Sequence, residues 1–317
     1  MCEISVIMSV YNESYSDINA AVDSIINQTF TEYEFIIIID NPMRQEMKII
    51  LEEKDPRIRV YINEVNMGLA KSMNRAVAYS KGRFLARMDA DDISLPDRLR
   101  KEYLVMKDME YCLVCTGYEF IDENGKNLGI KSGHITSKLL VAGLPYDNTI
   151  HHPTVMMRKD VFEQVGGYRN FPCSQDYDLW LRMSEYDSRM YYIDEVLFKY
   201  RIRSDSISQK NKVKQLTTWW YIQKLYRQRR KNGHDCFSKE DYERYLKKNH
   251  VYESKYCEDA DKAMEIKCNL DKKRNEKSLK SKVIRVSMAI RIAKKSEFYR
   301  KYYIRIIRYR ILKVFIA

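Results

Sequence analysis

Glycine and proline are scarce in this chain, ten and six among 317 residues. That scarcity excludes collagen-like and low-complexity classes. Nowhere do eighteen apolar residues run together, so no membrane-spanning helix is expected. The opening Met1-Cys2-Glu3-Ile4-Ser5-Val6 lacks a basic stretch followed by an apolar one, so no secretory leader is readable there. Cysteines number seven, an odd count at irregular spacing, which points to the reducing cytoplasm rather than a disulfide framework. Cys112-Leu113-Val114-Cys115 has no second pair downstream and lies in an apolar stretch, so it reads as two buried thiols. Neither G-x-x-x-x-G-K-[ST] nor G-x-G-x-x-G occurs. A bound diphosphate would therefore lack a glycine-rich backbone cradle and would need its charge met otherwise, by a metal for instance.

What is present is a core-forming composition. Apolar residues make up 45% and charged residues 32%, with both signs represented. A chain of this length suggests one large domain with an appendage, or two domains. Charge is uneven: residues 1–204 carry a net −6, residues 205–277 a net +7 and residues 278–317 a net +11. This split suggests an acidic, metal-using body tethered to something anionic; the alternative is a solvated helical face.

The first 110 residues alternate strands and helices. The expected strands are Ile4–Val10, Phe35–Ile39, Ile58–Ile62 and Phe84–Met88. Between them lie a helix capped by Asp17, one over about Met43–Glu53 and one after Gly68. A further helix starts at Pro96, where the missing N–H costs nothing, and runs to about Glu110. This rhythm predicts a Rossmann-like α/β fold, a mostly parallel sheet with helices on both faces. Ligands on such sheets bind at the carboxyl ends of the strands. Tyr11, Asp40 and Asp89-Ala90-Asp91-Asp92 all fall there.

Beyond residue 110 the rhythm loosens. Expected elements are a strand over Leu113–Tyr118, a loop-rich excursion over 122–150 and a short strand Val155–Met157. A helix Lys159–Val165 stopped by Gly166-Gly167, a helix Asp176–Glu185 and a strand Val196–Ile202 follow. Past residue 211 the chain reads as helical, with Ser238-Lys239-Glu240-Asp241 as a capping box using Asp for Glu.

Carboxylates at i and i+2 just past a strand, as in Asp89 and Asp91, can converge on a hard divalent cation. Such an ion would stabilise a diphosphate leaving group as a Lewis acid. The bland reading is an acidic turn, with Asp92 capping the following helix. Asp40 can accept from the imide N–H of a uracil while Tyr11 stacks on the base; an edge tyrosine and a helix-capping aspartate are the plain alternatives. Asp176, at a helix entrance, can serve as general base toward a hydroxyl, or can simply complement the helix dipole. Leu179, Trp180 and Met183 read as core, and Trp219-Trp220 as packing or an interface anchor.

In these residues the chain resembles glycosyltransferase family 2, with the GT-A fold, of the non-processive bacterial cell-surface polysaccharide type. The resembling stretches are residues 5–12, 24–29, 34–40 and Asn66-Met67-Gly68-Leu69-Ala70 with Asn74. Met88-Asp89-Ala90-Asp91-Asp92-Ile93-Ser94-Leu95-Pro96-Asp97-Arg98-Leu99 is especially specific. His152-Pro153-Thr154-Val155-Met156-Met157-Arg158, Gly166-Gly167-Tyr168 and Gln175–Arg182 complete the series. The resemblance covers about residues 3–204, a GT-A catalytic domain with a nucleotide-sugar half at about 1–110 and an acceptor half at about 111–204. Residues 205–317 form a helical, basic extension outside it.

The resemblance implies an inverting, metal-dependent transfer from a nucleotide sugar, most often a UDP-sugar, to a glycan or lipid-linked acceptor. Tyr11 and Asp40 would bind the base, Asp89 would lie by the ribose and metal, Asp91 would hold Mn²⁺ or Mg²⁺, and Asp176 would be the base. Arg87 and Asp92 are candidates to touch the donor sugar. The chain departs from the pattern at three places: Ile39-Asp40-Asn41-Pro42 keeps one aspartate of two, Gln175 stands where a glutamate is common, and Arg203 replaces a metal-reaching histidine. Arg203 cannot ligate a metal but can contact the diphosphate. There is no Arg-Trp pair, so the signature of processive synthases is absent.

The last forty residues interleave basic residues with Val283, Ile284, Val286, Met288, Ile290, Ile292, Tyr302, Ile304, Ile306, Ile307, Ile311, Leu312, Val314 and Phe315. They read as basic amphipathic helices on an anionic cytoplasmic membrane surface, the chain being peripheral on its inner face. Packing against the body or a second subunit is the alternative; no nucleic-acid motif accompanies the charge. The competing functional classes are a nucleotidyltransferase, which would not need Asp176, and a non-catalytic membrane or nucleic-acid-binding scaffold.

Overall fold

In the computed structural model, which describes residues 2–108, 110–132, 135–203, 212–272, 287–294 and 296–316, the apolar run Ile4–Val10 forms β1 near the middle of a nine-stranded sheet. β1 pairs in parallel with β2 (Tyr33–Ile39) and β4 (Phe84–Asp89), and β2 with β3 (Ile58–Ile62). All seven residues of β2 are buried, as a strand covered on both faces requires. Helices α1 (Tyr15–Ile26), α2 (Met47–Glu52), α3 (Leu69–Tyr79) and α4 (Arg98–Met106) intervene.

The sheet continues from β4 through β8 (Val155–Arg158), β6 (Leu113–Ile121) and β9 (Met190–Arg201) to the short β5 (Ile93–Ser94), with β7 (Asn127–Lys131) on β6. β8 runs antiparallel to β4 and β6, while β6 and β9 are parallel. Helices α5 (Ser137–Gly143), α6 (Lys159–Gln164) and α7 (Gln175–Tyr186) complete this part. The GT-A-like α/β architecture expected from the sequence is thus what the chain adopts, with a helical C-terminal region after it.

Several local expectations are corrected. Ser14, not Asp17, caps α1: its side chain accepts the Asp17 N–H, and Asp17 sits in the first turn. The expected helix over 43–53 splits into a 3₁₀ turn, Pro42–Arg44, and α2, because Asn41 caps the turn and Pro42 starts it. Pro96 lies before α4 rather than in it, and α4 stops at Met106. Asp92 does not cap α4; it accepts the Arg201 N–H. The excursion over 122–150 contains β7 and α5, which are too short to show a clear period in sequence. Cys112 and Cys115 are buried free thiols, the first pushed up to about 12 by burial.

The chain divides into two compact units, Met1–Leu144 with Asn148–Ser206, and Pro145–Asp147 with Ile207–Ala317. The second contains helices Lys212–Asn232, Lys239–Lys248, Ser254–Lys272 and Glu297–Ile316. Within it Trp220 is buried against Phe298, and Arg305 lies over the Trp220 ring at 4.5 Å. Ser238 caps its helix by accepting the Asp241 N–H, but the Asp241 carboxylate accepts from Tyr221 and Lys224 instead of closing a capping box. No helix among the described residues is long and apolar enough to cross a membrane. Val283, Ile284 and Val286 of the expected basic helices lie outside the described residues.

Candidate active site

Sheet register brings the strand ends together. Val10 is the register partner of Ile39, and Ser9 that of Asp89, so Tyr11, Asp40 and the acidic turn emerge from three neighbouring strands. The Asp40 N–H donates to the Val10 carbonyl, and the Asn63 N–H to that of Ile39, extending the ladder one residue past each strand.

Tyr11 is exposed at 43%, an aromatic left open at a strand end. Its loop is fixed: Arg44 donates to the carbonyls of Tyr11 (3.3 Å) and Glu13 (2.9 Å), and Asn41 to the Asn12 side chain. Asp40 is 3% exposed. Its Oδ1 accepts from Asn63 Nδ2 (2.6 Å) and the Met67 N–H (2.8 Å), and its Oδ2 from the Gly68 N–H (2.8 Å). A carboxylate has about four acceptor positions, so one is left on Oδ2. Gly68 has φ of 81°, a left-handed conformation that glycine adopts without strain and that begins α3 beside this carboxylate.

The acidic turn is crowded. Burial and the charges of Asp89 and Glu13 push the Asp91 carboxyl up to about 7, against the pull of Arg203. Asp92 is fully buried and is raised by burial and by Asp91 and Asp89. Arg87, buried, pairs with Asp89 while its Nε and Nη1 have no partner among the described residues. Arg201 donates through Nε to the Asp91 carbonyl at 2.8 Å, and Arg203 pairs with Asp17 at 2.8 Å. Like charges held this close fit a hard divalent cation, which would relieve their repulsion. Among the described residues no three His, Cys, Asp or Glu side chains form a ready metal cage. Two carboxylates, Asp89 and Asp91, would therefore leave the other positions to phosphate oxygens and water.

Asp176 lies in the first turn of α7, where Asn148 Nδ2 donates to its Oδ2 at 2.9 Å. Burial raises its carboxyl, the hydrogen bonds from Asn148 and the first-turn amides oppose that, and Asp89 adds to the rise. Around it, His152 shares a 2.8 Å hydrogen bond with the Tyr168 hydroxyl, and burial keeps its imidazole neutral. Asn74 of α3 ties this loop down by donating to the Tyr168 carbonyl and accepting its N–H. Gly167 is required there: a Cβ would lie 2.8 Å from Asn74 Oδ1.

Tyr11, Asp40, Asp89 and Asp91 thus stand at the carboxyl ends of neighbouring strands, Arg203 follows the end of β9, and Asp176 stands at the entrance of α7. Sequence reasoning missed Glu13, Asn63, Asn148 and Arg201. Glu13 follows Tyr11 by two and was open to notice; the other three are ordinary polar residues whose roles arise only from pairing.

The family model for Glycosyl transferase family 2 matches residues 5–166. The chain is 39% identical to the O-antigen biosynthesis glycosyltransferase WbnJ of Escherichia coli over 212 residues, 64% of this chain and 81% of WbnJ. It is 29% identical to WfgD of Escherichia coli, a UDP-Glc:alpha-D-GlcNAc-diphosphoundecaprenol beta-1,3-glucosyltransferase, covering 69% of this chain and 84% of WfgD. Among solved structures, S. aureus TarS 1–349 in complex with UDP-GlcNAc superposes with a TM-score of 0.59 at 17% identity, over 77% of this chain and 70% of that one. Against the longer TarS chain the coverage is 42% of its length. With the motifs in order along a GT-A sheet and the family model matched across them, the chain belongs to glycosyltransferase family 2.

Proposed function

We propose that this glycosyltransferase moves a hexosyl or N-acetylhexosaminyl group from a UDP-sugar to a hydroxyl of a growing, lipid-linked bacterial surface glycan, with inversion. The observation that carries the reading is the sheet register that sets Tyr11, Asp40 and the Asp89–Asp92 turn at the ends of three neighbouring strands, where a nucleotide sugar would bind. WfgD supports the donor and acceptor classes, since its name specifies UDP-Glc and a diphosphoundecaprenol-linked sugar.

In this mechanism Tyr11 stacks on the base and Asp40 offers its remaining acceptor position to the imide N–H. Asp89 and Asp91 would hold Mn²⁺ or Mg²⁺, which supplies Lewis-acid neutralisation of the departing diphosphate. Arg203 adds a fixed cation to the same phosphates. Asp176 takes the proton of the acceptor hydroxyl as that oxygen bonds to C1. The C1–O bond to UDP breaks on the opposite side, so the configuration inverts. One base suffices because UDP leaves without protonation, unlike glycoside hydrolysis, where two carboxyls flank the bond.

We assign catalysis to residues 1–204 and a membrane-facing role to the extension. In the helix Glu297–Ile316, Ile304, Ile307, Ile311, Val314 and Phe315 are exposed at helical spacing. Beside them, residues 278–317 carry net +11. An apolar stripe among cations suits an anionic bilayer, at about 1 kcal/mol per Lys or Arg near the surface.

The test is nucleotide release from UDP-, GDP- and TDP-sugars with Mn²⁺, with and without chelator. UDP release that the chelator abolishes and Asp176→Asn reduces by roughly 10²–10⁴-fold is expected. Chelator-resistant release, or an unimpaired Asp176→Asn, overturns the mechanism; the latter favours a nucleotidyltransferase.

A further inference from the structure

Asn148 stands beside Asp176 at the entrance of α7. Its Nδ2 donates to Asp176 Oδ2 at 2.9 Å, while its own Oδ1 is buried without a partner among the described residues. Leaving a buried acceptor unmet is costly, so a purely structural asparagine here is poorly placed. The segment carrying it is fixed on both sides. Thr149 donates through Oγ1 to the Leu140 carbonyl at 3.2 Å, and Ile150 is buried. From the helix side, the Tyr177 hydroxyl donates to the Leu144 carbonyl at 2.5 Å. Leu144 and Asn148 are therefore each tied to the first turn of α7, one through Tyr177 and one through Asp176 itself. Ser174, which leads into α7, has a left-handed φ of 62° and no side-chain capping bond.

We propose that Asn148 is a positioning residue for the general base: its amide commits one carboxylate oxygen of Asp176 and fixes the carboxylate plane, so that the other oxygen meets the acceptor hydroxyl. The inference rests on the reading of Asp176 as base. An asparagine suits the task because its N–H favours an ionised partner, yet it brings no charge of its own to compete for the proton. Aspartate at the same place would set two carboxylates against each other. Misplacing a reacting group by about 1 Å can cost up to about 10²-fold in rate.

The experiment is a double-mutant cycle on the full chain, read as UDP release with Mn²⁺ from the sugar nucleotide that the donor panel identifies, with UDP binding followed by calorimetry. Asn148→Ala is expected to lower kcat at least tenfold, with donor KM and UDP affinity within twofold of the parent. Asn148→Asp is expected to be worse than Asn148→Ala. In an Asp176→Ala background, Asn148→Ala is expected to add no further loss. Parent-like kcat in Asn148→Ala, a parallel loss of UDP affinity, or a loss that persists undiminished beside Asp176→Ala each overturns the proposal. Unchanged turnover in Asp176→Ala alone refutes the base itself, an outcome read independently of Asn148.

Discussion

The backbone N–H of Arg201 donates to the buried carboxylate of Asp92 at 2.8 Å, joining residues 109 apart in the chain. Through that bond the end of β9 is held against the acidic turn that follows β4. Arg203, two residues on, is thereby brought to where it pulls the Asp91 carboxyl down against its acidic neighbours.

Replacing Arg203 tests its share in phosphate binding. A hydrogen bond to a charged group is worth about 1.5–3 kcal/mol, so Arg203→Ala is expected to weaken UDP binding tenfold or more. Arg203→Lys should recover part of it, as a point charge without the planar fork. Calorimetry with UDP and Mn²⁺ measures both. Unchanged affinity in Arg203→Ala would remove Arg203 from the diphosphate site.

Acidity at Asp91 predicts how metal binding follows pH. Its carboxyl, raised to about 7, carries a proton at pH 6 and is ionised at pH 8. Since the ion must displace that proton, Mn²⁺ should bind more tightly as pH rises through 7. The sign for stability is the reverse in metal-free protein. A group whose folded pKa lies above its ordinary 3.8 stabilises the fold at low pH and loses that contribution as pH rises through the folded value. Asp92 and Asp176, also raised, act in the same direction. Thermal melts should fall from pH 6 to 8 without metal and recover with Mn²⁺ at pH 8, and Asp91→Asn should show neither trend in full.

Tyr11 and Asp40 should separate binding from stability. Tyr11 is 43% exposed and outside the buried core, so Tyr11→Ala should change the melting temperature little. Loss of stacking is expected to cost about 1–3 kcal/mol in UDP affinity. Asp40 accepts three hydrogen bonds from Asn63, Met67 and Gly68. Asp40→Ala would strand those donors, so it should destabilise the fold by at least about 1–3 kcal/mol as well as weaken UDP binding. Melting and calorimetry on both variants check the contrast.

Membrane association predicts what acids on the apolar stripe would do. In the full chain, Ile307→Glu with Ile311→Glu places acids on the exposed stripe of the last helix. Flotation with vesicles containing anionic lipid should capture the parent chain and lose most of the double variant, while binding by the parent should fall as salt screens the charge. Equal capture of both proteins would exclude this face.

The amino-acid sequence by itself determined the alternation of β1 to β4 with α1 to α4, because apolar runs such as Tyr33–Ile39 bury on both faces only in a covered parallel sheet. It also determined that Tyr11, Asp40 and Asp89 to Asp92 stand at strand ends, since each follows directly on such a run. What only the tertiary structure decided is who meets whom. Asp92 reads as a helix cap until Arg201 arrives from β9, and Asn148 reads as a loop polar residue until α7 turns Asp176 toward it. Local periodicity records the exposure of each position along its own element. Hydrogen bonds and charge couplings between distant positions depend on strand order and register, which many sequences of the same pattern could satisfy differently.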